Sequence, residues 1–166
     1  MMNAKDFDFE SIKPLDLNKE ALAPGSRATP FSALLWAVAG GDLAAAEAQI
    51  TDDIEWGLMP YNKYLKGKEQ VMSWLTTATA DQKKPIVITN AAAGNWGVLE
   101  YWNIGVVSEE VIKFGNEQNW PWPRDPGGFL GKSYRVAQCF TYHINTEGKI
   151  DFMRQYMDTG SIWAQL

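Results

Sequence analysis

The chain is poor in the residues that most often carry metal and redox chemistry. Cys139 is the only cysteine and His143 the only histidine in 166 residues. One cysteine excludes an intrachain disulfide framework and a thiolate-rich metal site. One histidine excludes ordinary multi-histidine zinc sites and facial-triad iron sites. Positive charge is also scarce: 15 Lys and Arg stand against 20 Asp and Glu, a formal net charge of -5. A basic nucleic-acid footprint is therefore absent. No apolar run is long enough to span a bilayer. The opening MMNAKDFDFE is charged and lacks the apolar core of a signal peptide. The expectation is a cytoplasmic protein with no metal, no cofactor, and no nucleic-acid or membrane partner.

What is present points to a packed domain with aromatic surplus. Apolar residues make up 46% of the chain, enough to bury a core. The length favours one domain. The chain holds 8 Trp, 6 Tyr and 7 Phe. That is more tryptophan than packing needs, so some is expected to line a cavity.

Residues 1–28 are polar and broken by Pro14, Pro24 and Gly25, and read as an N-terminal arm. Its Phe7, Phe9 and Ile12 are available to pack on a partner subunit or across a pocket. Residues 29–166 are expected to form the single domain. Thr29-Pro30 opens a helix over 30–39, stopped by Gly40-Gly41. Asp42 caps a second helix, DLAAAEAQI, and TDDIEWGLMP leads into a short strand. A third helix over 67–79 presents Val71, Trp74, Leu75 and Ala78 as one apolar face.

Strands are expected at 85–92, 95–107, 133–145 and 149–158, with NTEG as a hairpin connection. The Trp/Pro-rich loop at 109–132 contains WPWPRDPGG, whose prolines and glycines exclude a regular element there. Helices first and an antiparallel sheet afterwards imply an α+β domain.

Three strings carry a further likeness: GDLAAAEAQITDDIEWGLMP, LKGKEQVMSWL and EGKIDFMRQYMD. In order and spacing they resemble the nuclear transport factor 2-like superfamily, in its SnoaL-like polyketide cyclase and limonene-epoxide hydrolase branch. The resemblance implies a cone-shaped fold, with N-terminal helices packed on a curved, mainly antiparallel sheet. It also implies an apolar pocket, a homodimer and chemistry without a cofactor. Fold alone does not settle the activity, since members include isomerases, dehydratases, cyclases, epoxide hydrolases and non-catalytic binders.

The resemblance also shows what is missing. Where such epoxide hydrolases carry an arginine and an aspartate, this chain has Tyr101 and Asn103. Their third key carboxylate falls on Gln155. The tyrosine and asparagine that help hold the attacking water fall on Trp56 and Leu58. The steroid-isomerase base falls near Leu58 or Met59. Amides cannot replace carboxylates as acid or base, so the usual epoxide-hydrolase mechanism is not expected.

Alternation puts Leu99, Tyr101, Asn103 and Gly105 on one face of their strand. Tyr134, Val136, Gln138, Phe140 and Tyr142 share a face of another, with Arg135 and His143 opposite. The resemblance turns both named faces inward. The expected catalytic pair is Tyr101 and Asn103, with Tyr101 as proton shuttle if its pKa is lowered. The plainer expectation is that these two satisfy each other, and that Gln138 and Gln155 are a buried amide pair. Trp56, Leu58, Tyr61, Leu99, Trp120, Trp122, Tyr134, Gln138, Phe140 and Gln155 are the expected substrate contacts.

Trp120 and Trp122 are expected to close over the cone mouth, or else to cover the protein's own core or a dimer interface. Lys132 and Arg124 flank them and suit a phenolate or carboxylate. Tyr61, Lys63 and Tyr64 offer another rim. Arg154 is expected to pair with Asp158 or Glu100. The leading functional expectation is a cofactor-independent lyase, of retro-aldol or elimination type, for a bulky, hydrophobic, aromatic small molecule. The alternatives are a non-catalytic binding protein, a structural or partner-binding protein, an isomerase or cyclase, and an atypical epoxide hydrolase with a displaced acid from 109–125.

Overall fold

A computed structural model describes residues 29–78 and 82–166. The N-terminal arm and its Phe7, Phe9 and Ile12 lie outside the described residues. The first helix, α1, spans Thr29–Gly40. The second, α2, covers only Leu43–Glu47, with the Asp42 side chain accepting from the Ala45 backbone N–H. The expected helix through Ile50 stops early because Ile50 already belongs to β1, Ile50–Leu58, where it pairs with Ile150. Ile50 and Ile54 are fully buried, so the sheet outweighs the helical preference of the preceding alanines.

A short strand, β2 at Lys63–Lys66, pairs antiparallel with β1. Four residues are too few for alternation to reveal it. Helix α3, Lys68–Ala78, buries Val71, Trp74 and Leu75 as the spacing predicts. Strands β3 at Gln82–Ala93 and β4 at Trp96–Val106 form a long hairpin. The remaining strands are β5, Ser133–Ile144, and β6, Ile150–Met157, followed by helix α5 at Thr159–Gln165.

The loop expected over 109–132 contains a helix, α4, at Glu109–Glu117. Ser108 caps it, its Oγ accepting from the Val111 N–H at 3.3 Å. Val111 and Phe114, three apart, are its buried anchors. The prolines that forbid regular structure begin only at Pro121, after the helix has ended. A short 3-10 turn, Pro126–Phe129, begins at the last of them.

Among the described residues, six strands form one sheet in the order β2-β1-β6-β5-β4-β3. Every neighbouring pair is antiparallel except β1 and β6. Register shifts interrupt β3–β4, β1–β6 and β5–β6, and such bulges bend a sheet. Helix α1 packs against β3, α3 against β1 and α5 against β5. The result is the expected α+β cone. Gly97 allows one close crossing: a Cβ there would lie 2.2 Å from the ring of its cross-strand partner, Tyr142.

Alternation along β4 and β5 is clean, with every inward position from Leu99 to Gly105 and from Tyr134 to Ile144 buried. The outer face keeps Trp96, Val98 and Tyr156 exposed. His143 is on that face, its Nδ1 2.6 Å from Asp151 Oδ1. Arg154 does not form the expected ion pair among the described residues. Its guanidinium instead sits 5.0 Å from the Phe152 ring centroid, two residues away on the same face.

Candidate functional site

The inner side of the cone holds an apolar cavity of about 100 Å³. Tyr101 and Asn103 on β4, Gln138 on β5 and Gln155 on β6 bring polar groups to its wall from three adjacent strands. All four are buried. Tyr101 and Gln138 are register partners, so their side chains stand together on one face. The Tyr101 hydroxyl donates to Gln138 Oε1 at 2.9 Å. Gln155 Nε2 donates to the same oxygen at 2.8 Å. The amide pair expected for Gln138 and Gln155 is therefore present and includes Tyr101.

Tyr101 and Asn103 do not satisfy each other. The phenol turns along the sheet to Gln138, and Asn103 Oδ1 is buried without a hydrogen-bond partner. Nor is the Tyr101 pKa lowered: burial pushes it upward, because no cation faces the phenol to stabilise a phenolate. Tyr101 is thus a proton donor at neutral pH and not a resting base. Burial raises Tyr61 to about 12 in the same way.

Aromatic rings make most of the remaining wall. Phe140 stacks on Tyr101 at 5.9 Å and 17°, and tilts against Trp56 at 6.0 Å. Of the expected contacts, Trp56, Tyr61, Trp120, Trp122, Tyr134 and Phe140 line the cavity. Leu58 and Leu99 do not. Both lie on inward faces, but both are fully buried within the larger apolar cluster, beyond the cavity. Strand alternation selects a face; it does not say how deeply the helices fill the space above each position.

Helical contributors were not foreseen from the sequence. Phe31, Leu34, Leu35 and Val38 of α1 close one side, and Trp74 and Leu75 of α3 another. Val111 of α4, with Ile162 and Trp163 of α5, completes the wall. Their apolar spacing was visible only for α3, and spacing cannot separate a residue that packs on the sheet from one that faces a void.

The tryptophan loop is packed as well as lining. Trp120 stacks on Tyr61 at 5.7 Å and 7°, and meets Phe114 edge-on at 6.0 Å. Trp122 packs on Trp163 at 5.3 Å. Gly115 of α4 makes room for both: a Cβ there would stand 2.3 Å from Trp122 and 2.8 Å from Trp120. A second, outer cavity of about 240 Å³ shares Tyr61, Trp74 and Trp120 with the inner one, so the stacked Tyr61 and Trp120 line both. Lys63 forms part of the outer cavity's rim, its Nζ donating to Gln118 Oε1. Tyr64 is exposed in β2 and lines neither cavity.

Charge is kept out of the inner wall. No Asp, Glu, Lys, Arg or His lines it. Lys132 and Arg124, expected to meet a ligand, both donate to the main-chain oxygen of Leu166, Arg124 at 2.7 Å. They pin the segment after α5 instead. The acids of 109–125 also stay away, since Glu109, Glu110, Glu117 and Asp125 are all exposed. The displaced acid expected for an atypical epoxide hydrolase is therefore not in the wall. Among the described residues, no group of three or more His, Cys, Asp or Glu side chains is placed to hold a metal ion. No described helix is long and apolar enough to cross a membrane.

No protein-family model matches the sequence, and no curated protein matches it significantly. Solved structures match in fold. An LEH-like epoxide hydrolase from M. tuberculosis is 14% identical, with a TM-score of 0.62 over 84% of this chain and 88% of that one. A SnoaL-like polyketide cyclase candidate from Shewanella denitrificans is 11% identical, with a TM-score of 0.63 over 86% and 97%. An NTF2-like protein of unknown function from Cytophaga hutchinsonii is 16% identical, with a TM-score of 0.55 over 82% and 93%. At these identities the likeness is one of architecture: the chain has the nuclear transport factor 2-like fold.

Proposed function

We propose that the chain is a cofactor-independent enzyme for a neutral aromatic small molecule, acting by elimination or retro-aldol cleavage. One observation carries this reading. The inner cavity contains a buried proton carrier, Tyr101, tied into an amide pair, and no carboxylate, amine or imidazole beside it. Such a wall suits a reaction with one modest proton transfer and a developing oxygen charge. It does not suit water attack on an epoxide, which needs stronger acid and base groups.

In an elimination, the Tyr101 hydroxyl gives its proton to the departing substrate hydroxyl as the C–O bond breaks. The phenolate left behind removes a proton from the neighbouring carbon as the C=C bond forms, and water is the second product. Tyr101 ends as it began. In a retro-aldol cleavage, the Tyr101 hydroxyl gives its proton to the carbon that receives the electron pair as the C–C bond breaks, and the phenolate left behind takes the proton of the substrate hydroxyl as the carbonyl forms. Burial disfavours a standing phenolate, so in either case Tyr101 starts as donor.

Size limits the ligand. An engineered apolar cavity of about 150 Å³ takes benzene, so about 100 Å³ takes less than one ring without adjustment. A bulky substrate therefore enters by parting the Tyr61–Trp120 stack, which joins the inner cavity to the outer one. A non-catalytic binding protein is the second reading. It is favoured by the Tyr101 proton being committed to Gln138. A homodimer belongs to the same proposal, supported by the exposed Trp96, Val98 and Tyr156 on the outer sheet face.

The test is turnover. The protein is incubated with diaryl diols, β-hydroxy ketones and polyketides, without added metal or cofactor, and products are followed by mass. Loss of water or of a carbonyl fragment is expected, and Tyr101→Phe should abolish it. Tight binding across the panel with no product would establish the binding reading instead.

A further inference from the structure

Three tryptophans that line the inner cavity each hold an indole N–H with no hydrogen-bond partner. The groups are Nε1 of Trp56, Trp120 and Trp122, and each atom is buried. Trp56 comes from β1, and the other two from the loop after α4, so the donors belong to different walls. A buried donor without an acceptor loses its bond to water and gains nothing in return. Among the described residues of the same wall, Asn103 Oδ1 is the one fully buried side-chain acceptor without a partner. Fully buried unpartnered donors thus outnumber such acceptors among the described wall residues, and no cationic or anionic side chain lines the wall to balance a charged ligand.

We infer that these indoles are the recognition groups for a neutral aromatic ligand bearing at least two acceptor oxygens, of carbonyl or ether type, and one hydroxyl. The oxygens take the indole N–H groups, and the hydroxyl donates to Asn103 Oδ1. A carbonyl oxygen has two lone pairs, so two such oxygens suffice for three donors. The inference rests on the inner cavity being a small-molecule site, but needs no turnover.

The experiment compares acetophenone with α-methylstyrene, which has the same shape but carries CH₂ in place of the carbonyl oxygen. Binding to the full-length protein is followed by titration in ¹H–¹⁵N spectra, where the indole N–H groups of the 8 tryptophans are seen individually. Trp120→Phe and Trp122→Phe assign two of the signals and keep an aromatic ring at each position. Acetophenone is expected to bind about 10-fold tighter or better, and to shift at least one of the three signals downfield; α-methylstyrene should not. Trp120→Phe or Trp122→Phe should shrink the preference several-fold. If α-methylstyrene binds as tightly, or if neither compound binds, or if no indole signal moves with acetophenone, the inference is overturned. Oxygen-dependent shifts without turnover of any panel compound would leave it standing and remove the catalytic reading. Turnover with unmoved indoles would do the reverse.

Discussion

Tyr101 and Gln138 face each other across the β4–β5 register, and the phenol hydroxyl donates to the amide oxygen at 2.9 Å. That oxygen also receives Gln155, so one acceptor holds two donors. Removing the phenol hydroxyl in Tyr101→Phe leaves Gln138 with one donor still in place. Stability should fall by only about 1 kcal/mol. Turnover should fall by roughly 10²–10⁴-fold, the usual range for a lost proton-transfer group. Urea unfolding and product formation measure the two separately; a large stability loss with unchanged turnover would move Tyr101 out of the chemistry.

Asn103 makes the opposite trade. Its Oδ1 is buried and unpartnered, so the amide is a burden on the ligand-free fold. Asn103→Leu should be neutral or stabilising by about 1 kcal/mol, seen as a higher Tm. The same change should weaken turnover or ligand binding. A variant both less stable and fully active would show that Asn103 has a partner in solution.

Gly115 is a spacer for two tryptophans. In Gly115→Ala the new Cβ would overlap both indoles. Destabilisation of about 1–3 kcal/mol is expected, as in overpacked cores. Near-ultraviolet circular dichroism should change, and ligand binding should weaken, because Trp120 and Trp122 shape the wall.

Stability should be lost at alkaline pH in a defined direction. Tyr61 is raised to about 12 by burial, above an unfolded value of about 10. Between these values the folded state keeps a proton that the unfolded state releases. Folding is therefore penalised progressively as pH rises above about 10, and its contribution is fully present below that. Tyr101 and Tyr142, also raised by burial, act in the same sense. Urea midpoints at pH 7 to 12 give the curve; a midpoint unchanged up to pH 12 would contradict it.

The outer sheet face tests assembly. Trp96 is 51% exposed beside Val98 on β4, and an exposed aromatic patch on a sheet suits a partner. Trp96→Lys should shift the protein from dimer to monomer in sedimentation, with little change in monomer fold because the side chain is already wet.

Local regularity determined what the sequence could show by itself. Alternation grouped Tyr101 with Asn103 on one face of their strand and Gln138 with Phe140 on one face of another, and spacing gave the apolar stripe on α3, because these depend on neighbours two to four residues apart; that the grouped faces turn inward came from the resemblance. The scarcity of cysteine and histidine likewise needed no structure to read. Only the tertiary structure decided the rest. Which donor Gln138 accepts, the upward shift of Tyr101, the exclusion of Leu58 and Leu99 from the cavity, and the capture of Lys132 and Arg124 by Leu166 all depend on residues distant in sequence. The three orphan indoles belong here too: a tryptophan advertises its ring in sequence, but whether its N–H finds an acceptor is settled by everything packed around it.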